Sequence, residues 1–190
     1  MNTEKIKDIR DELEITQMEL SKKLGCTRSA YSLWEINKNT IPLYYLNKLS
    51  NILNINIDYL VDLSKDKYIP FNKIEIDKSE LGKRIKQARK SINYTQEKLA
   101  DKLNTTHSVI SAYESGKTAV PTLFMIEIAK ITKRSLNWFL NKIWFSYILD
   151  YAIITLVMNK SVLLELSVQT GLLLLQKDIQ SNFLVRFFYA

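Results

Sequence analysis

Residues 6–61 of this 190-residue chain align with residues 85–140 at a constant offset of 79, without a gap. An internal repeat constrains a fold more than any local pattern does, because one structural solution must serve both copies. Identities run through the whole register: Ile6/Ile85, Lys7/Lys86, Arg10/Arg89, Thr16/Thr95, Gln17/Gln96, Leu20/Leu99, Lys23/Lys102, Leu24/Leu103, Thr27/Thr106, Ser29/Ser108, Ser32/Ser111, Glu35/Glu114, Lys38/Lys117 and Pro42/Pro121. Other pairs keep their character, among them Leu13/Ile92, Tyr31/Ile110, Trp34/Tyr113 and Leu60/Phe139. Two copies of a module of about 60 residues fit better than a solenoid, which needs three or more repeats.

Each copy reads as five short helices. Ile6, Ile9, Arg10 and Leu13 recur at helical spacing. Thr16 is placed to N-cap a second helix over 17–24, with Glu19 as its capping-box partner. Gly25 suits the left-handed C-cap that ends it. Thr27 is placed to cap a third helix from Arg28 to about Ile36. Asn37 follows, a residue that tolerates positive φ, and Gly116 stands at the same place in the second copy. Pro42 precedes a fourth helix with Leu43, Leu46, Leu49, Ile52 and Leu53, and Asp58-Tyr59-Leu60 opens a short fifth. The second copy repeats the plan with Thr95, Leu99/Leu103, Thr106, Ile110/Tyr113, Gly116 and Pro121. Leu20, Leu24, Tyr31, Trp34, Leu46 and Leu49 read as core at helical spacing.

The residue inventory excludes most catalytic chemistry. The chain has one Cys, Cys26, and one His, His107, so it can form neither an internal disulfide nor a Cys/His metal cluster. Four glycines and no GxGxxG or GxxxxGK[ST] pattern leave no nucleotide-phosphate loop. No enzyme activity, cofactor or metal is expected. No apolar run follows the N-terminal Met-Asn-Thr-Glu-Lys, so no secretory signal is read and a cytoplasmic location is expected. The net charge is +7, of which +6 falls in the first 140 residues. Such a balance permits a polyanionic partner.

Both copies carry Thr-Gln-x-x-Leu-x-x-Lys-Leu-x-x-Thr-x-Ser-x-x-Ser-x-(Trp/Tyr)-Glu-x-x-Lys, followed by Pro. This motif resembles the helix-turn-helix domain of the phage repressor/Cro family, also called the XRE family. The resemblance covers residues 6–62 and 82–142. It implies a mainly α chain of two tandem five-helix, lambda-repressor-like domains whose partner is double-stranded DNA, with the third helix of each domain in the major groove.

The resemblance also implies roles for individual residues. Gln17 and Gln96, at helix N-termini whose free N–H groups favour phosphate, would clamp the DNA backbone. The third helices open with Arg28-Ser29 and His107-Ser108, which would meet base edges. Arg28 suits bidentate contact with guanine, worth roughly 1–3 kcal/mol of discrimination. His107 donates less selectively, or is simply a solvated surface histidine. Ser32 and Ser111 follow one turn later. Leu33 is unusually apolar for its place: it contacts a thymine methyl, or else, with Ile36, marks a first copy that reads DNA poorly. Lys38 and Lys117, in the turns after the third helices, suit phosphate contact. Arg10/Glu35 and Arg89/Glu114 are expected as partly buried structural ion pairs, not catalytic groups.

The chain is thus expected to divide into domain 1 (1–64), a linker (65–79), domain 2 (80–142) and a tail (143–190). Fifteen linker residues reach about 50 Å when extended, enough to span the 34–36 Å or so between successive half-sites. Tyr68, Ile69 and Phe71 suggest that the linker docks. The tail is apolar at 30 of the 50 positions from 141 onward. Its run 143–158 is shorter than the roughly 17–25 residues of a membrane span and carries Asp150. It reads as a helix packed on the second domain, followed by either a β-hairpin or a helix broken at Gly171, and as a homodimerisation segment. A site for a peptide or protein effector is an alternative. The overall expectation is a transcriptional repressor. The competing reading is an antitoxin or antirepressor in which one or both copies contact protein.

Overall fold

The computed structural model describes residues 4–142, which form ten α-helices and, among the described residues, no strand. Expectations for the tail, its helix, hairpin and dimerisation role, lie outside the described residues. The first copy contains α1 (Glu4–Glu12), α2 (Gln17–Leu24), α3 (Arg28–Glu35), α4 (Leu43–Leu53) and α5 (Ile57–Leu60). The second contains α6 (Lys78–Ser91), α7 (Gln96–Lys102), α8 (His107–Glu114), α9 (Thr122–Thr132) and α10 (Leu136–Phe139).

Local chemistry explains most boundaries. Thr16 sits in extended backbone and its hydroxyl accepts from Glu19 N at 3.2 Å, while the Glu19 carboxylate accepts from Thr16 N at 2.8 Å. Two otherwise orphaned N–H groups are thereby satisfied. Gly25 ends α2 at φ 77°. Thr27 and Thr95 cap α3 and α7 through bonds of 3.2 and 3.1 Å. Thr106 departs from the expected plan: it occupies the N-cap position of α8 but makes no side-chain capping bond. Pro42 and Pro121 open α4 and α9 with φ near −60°, pre-set by the ring. The bend after the third helix of each copy needs a left-handed residue, supplied by Asn37 (φ 55°) and Gly116 (φ 72°). Asp77 caps α6, accepting from Ser79 N at 2.8 Å and from Glu80 N at 3.4 Å.

Both copies lie in one compact unit spanning Met1–Ile143. Leu20, Leu46, Leu49 and Tyr31 are fully buried in the first copy, as are Leu99, Ile110, Met125 and Ile128 in the second. Gly82 lets α6 lie directly on the end of α8: a Cβ there would come within 2.6 Å of the carbonyl oxygens of Tyr113 and Glu114. The copies meet through their short fifth helices, α5 against α10, burying Ile57, Leu60, Leu136 and Phe139. The linker is docked. Ile69, Phe71, Ile74 and Ile76 are half-buried, and Asn47 Nδ2 donates to the Ile74 carbonyl at 2.7 Å. Tyr68 is the exception, at 65% exposed.

Candidate nucleic-acid interface

The helix-turn-helix of each copy is α2–α3 or α7–α8, and its angle is held by a buried polar clamp. In the first copy, Arg10 on α1 donates through Nε to Glu35 Oε1 at 2.6 Å and through Nη2 to Oε2 at 3.3 Å. Its Nη1 donates to the Ile15 carbonyl at 3.0 Å, tying α1 to the turn before α2. Gln17 Nε2 donates to Glu35 Oε2 at 2.7 Å. One carboxylate at the end of α3 therefore gathers α1, α2 and the turn between them.

The second copy repeats this arrangement atom for atom. Arg89 Nε and Nη2 donate to Glu114 at 2.5 and 3.0 Å, Arg89 Nη1 to the Tyr94 carbonyl at 2.6 Å, and Gln96 Nε2 to Glu114 Oε2 at 2.7 Å. Both glutamates are buried, so their charge depends on these donors. Burial pushes the Glu35 carboxyl up, but hydrogen bonds from Arg10 and Gln17, with the Tyr31 phenol nearby, outweigh it and hold the group below the usual carboxylate range. The hydrogen bond to Glu35 raises the Arg10 pKa in turn. The Tyr31 phenol, buried beside this carboxylate, is shifted strongly upward. Asp11 adds a 2.7 Å contact to Arg10; the second copy has Lys90 at that place.

With its amide nitrogen on Glu35 or Glu114, each glutamine is oriented at the first position of its helix and remains half-buried. The opening residues of α3 and α8, Arg28-Ser29 and His107-Ser108, are exposed. Ser32, Ser111 and Leu33 are half-buried. Lys38 and Lys117 are exposed in the following turns. Each helix-turn-helix thus gathers its own glutamine, helix-opening pair, serine and lysine on two adjoining helices and a turn. Ile36, next to this surface in the first copy, is 55% exposed, whereas the second copy has Ser115 there. Among the described residues, no group of His, Cys, Asp or Glu could hold a metal, and no helix is long and apolar enough to cross a membrane.

Sequence reasoning missed the residues that place one helix-turn-helix relative to the other. At the α5–α10 seam, Asp58 accepts from Leu136 N at 2.6 Å, from Asn137 N at 3.1 Å and from Asn137 Nδ2 at 2.6 Å. Asn137 Nδ2 also lies 2.6 Å from Asn56 Oδ1. Lys142, fully buried, donates to Asn47 Oδ1, Ser50 Oγ and Asn51 Oδ1 at 3.1, 2.9 and 2.8 Å. A signal existed: Asn47, Ser50 and Asn56 interrupt apolar faces, where a polar group needs a partner.

Comparison with known proteins agrees with this geometry. A helix-turn-helix family model matches twice, at residues 6–60 and 85–139. A segment of 61 residues, 32% of this chain, is 36% identical to an uncharacterized HTH-type transcriptional regulator, YqaE, of Bacillus subtilis (strain 168). The match spans about half, 53%, of that relative's length. Two family matches, set on two repeats with the same buried clamp, make this chain a member of the phage repressor/Cro-type (XRE) helix-turn-helix family.

Proposed function

We propose that this protein is a sequence-specific double-stranded DNA-binding transcriptional regulator, acting as a repressor by occupying its site. The observation that carries the reading is the duplicated clamp, in which Glu35 and Glu114 orient Gln17 and Gln96 beside exposed helix-opening pairs. The glutamine amide and the helix N-terminus take a phosphate, Lys38 and Lys117 take neighbouring phosphates, and the third helix reads bases. Arg28-Ser29 reads one half-site. His107-Ser108 reads a different one, so the target is asymmetric. Ser32, Ser111 and Leu33 add contacts to bases or to a thymine methyl. Self-association through the tail, whose apolar content is high, would bring two such chains together.

Selection of bound sequences from a random duplex pool by the full chain tests this. The expected result is one asymmetric consensus, with salt-dependent affinity. Arg28→Ala should relax one half of it and His107→Ala the other. Recovery of random sequences would refute the reading. One observation favours a second reading, protein contact by the first copy: Leu33 and the exposed Ile36 stand where the second copy has Ala112 and Ser115. In that case Arg28→Ala would leave the consensus intact.

A further inference from the structure

The seam between the two copies is built from unlike chemistry at equivalent positions. At the offset of 79, Asp58 corresponds to Asn137, Leu43 to Thr122 and Leu63 to Lys142. Each of these differences is matched by a complement on the other copy. The Asp58 carboxylate takes three hydrogen bonds from Leu136 and Asn137, all buried. The Thr122 hydroxyl donates to the Ile41 carbonyl at 2.5 Å. The Lys142 ammonium sits on Asn47, Ser50 and Asn51 of α4, whose counterparts on α9 are Ile126, Ala129 and Lys130.

Consider the alternatives this excludes. A seam made from two first copies would set Asp58 against Asp58, two carboxylates without the Asn137 side-chain donor between them, and would leave the Asn47–Asn51 cage without its lysine. A seam made from two second copies would set Lys142 against Ile126, Ala129 and Lys130. Burying an unpaired charge is among the most costly changes an interface can suffer. Specificity of this kind arises as much from the clashes built into wrong pairings as from the contacts of the right one.

We propose that the seam is an unlike-pairing interface: the first and second repeats are each other's designated partner, and Asp58, Asn137 and Lys142 are the positioning residues that set the spacing and order of the two recognition helices. The chain then arrives at DNA already paired, with Arg28 and His107 in a fixed register, and needs no second chain to present two reading heads. The spacing part of this inference rests on the DNA-binding reading above. The unlike-pairing part does not.

The test uses the full chain in four forms: wild type, Asp58→Asn, Asn137→Asp, and the double exchange Asp58→Asn/Asn137→Asp. Hydrogen exchange at the Leu136 and Asn137 amides reports the seam without DNA. Each single change should speed that exchange by about a hundredfold or more, since Asp58→Asn leaves one neutral acceptor oxygen where a carboxylate takes three bonds and Asn137→Asp faces acid with acid. The double exchange, which restores one acid and one amide, should recover most of the protection. Affinity for the selected duplex, against the same duplex with about five extra base pairs between its halves (half a helical turn), reports spacing. Wild type should discriminate strongly, and the single variants should lose that discrimination while keeping each half-site's base preference.

Thr122→Val, which removes only the bond to Ile41, is the milder variant if the carboxamide changes prevent folding; it should raise exchange by less and in the same direction. Wild-type exchange rates in the single variants, or no recovery in the double exchange, would overturn unlike pairing. Opened amides with unchanged spacing discrimination would overturn the positioning role. Failure of the wild type to bind any duplex selectively would instead sink the DNA-binding reading, with the exchange rates still deciding the pairing.

Discussion

The two copies keep the same clamp and the same glutamine, serines and lysine beside it, and differ at the residue that opens the third helix, at the end of that helix and at the seam. Arg10, Gln17 and Glu35 superpose in role on Arg89, Gln96 and Glu114, with matching donors on matching oxygens. Around them, Arg28 corresponds to His107, Ile36 to Ser115, and Asp58 to Asn137. The difference separates two demands. Holding the second and third helices at a fixed angle has one good solution, and both copies retain it. Choosing a ligand and choosing a partner surface are served by divergence, since identical copies would read identical half-sites and pair with themselves as readily as with each other.

The largest effects should come from breaking the shared feature. Removing Arg89 leaves Glu114 buried without its strongest partner and should cost about 3–5 kcal/mol, a loss readable by denaturant unfolding. Arg10→Ala should cost less within that range, because Arg10 is slightly more exposed (11% against 9% for the side chain). Acid should act through the same group. Glu35 has a lowered folded pKa, so its contribution is full above the unfolded carboxylate pKa and is lost as pH falls through the folded value. Equal costs for Arg10→Ala and Arg89→Ala would show that the difference in exposure does not matter.

Next in size are the bends after the third helices. Gly116→Asn copies the first repeat's residue into the second, where φ is equally suitable. The site is not equivalent, however, because a Cβ at 116 would stand 2.9 Å from Ser79 Cα and 3.0 Å from the Lys78 carbonyl. Overpacking against backbone should cost about 1–3 kcal/mol. The reverse change, Asn37→Gly, should be within about 1 kcal/mol of neutral. A thermal melt of each variant checks the pair, and a neutral Gly116→Asn would mean that α6 shifts to make room.

These contrasts show what the sequence could carry. The caps at Thr16 and Thr27, the left-handed residues at Gly25 and Asn37, and the repeat register were legible because each depends on neighbours within a few positions. The Arg10–Glu35 pair, 25 residues apart, became readable through the family resemblance and its recurrence in the second copy. The seam was not legible. Asp58 and Asn137 are 79 positions apart, and Lys142 is 95 from Asn47. Periodicity marks Asn47 and Ser50 as polar groups on a buried face, but it does not name a partner in the other repeat. Thr106 failed for a different reason: its residue type and position suit a cap, yet its hydroxyl makes no capping bond.

Lys142 gives the seam a pH dependence on the alkaline side, where the Glu35 carboxylate of the clamp gives none. Burial lowers its pKa to about 7, with Asp58 acting to raise it and Lys73 to lower it further. The other groups holding the ammonium, Asn47, Ser50 and Asn51, are neutral. In the unfolded chain a lysine titrates near 10.4. Between the two values the unfolded chain binds a proton that the folded chain does not, so stability should rise with pH across that window, with a slope of at most about 1.4 kcal/mol per pH unit. Stability measured from pH 7 to 9 in wild type and Lys142→Met isolates this group, because the difference between them removes every other titration. Parallel curves would show that the ammonium is not desolvated.

The smallest effect compares two threonines that look the same in the alignment. Thr27 caps α3 through a 3.2 Å bond to Ala30 N, so Thr27→Ala should cost about 1 kcal/mol. Thr106 holds the equivalent place on α8 without such a bond, so Thr106→Ala should cost no more than a few tenths, by roughly the same scale. The comparison bears on DNA as well as on stability. An uncapped α8 leaves its first N–H groups to another acceptor, beside His107, whereas Thr27 has already taken one of those on α3. Phosphate at the start of α8 would satisfy them. Saturating duplex should therefore slow hydrogen exchange at the first amides of α8 more than at those of α3, and equal protection of both helices would remove the distinction between the caps.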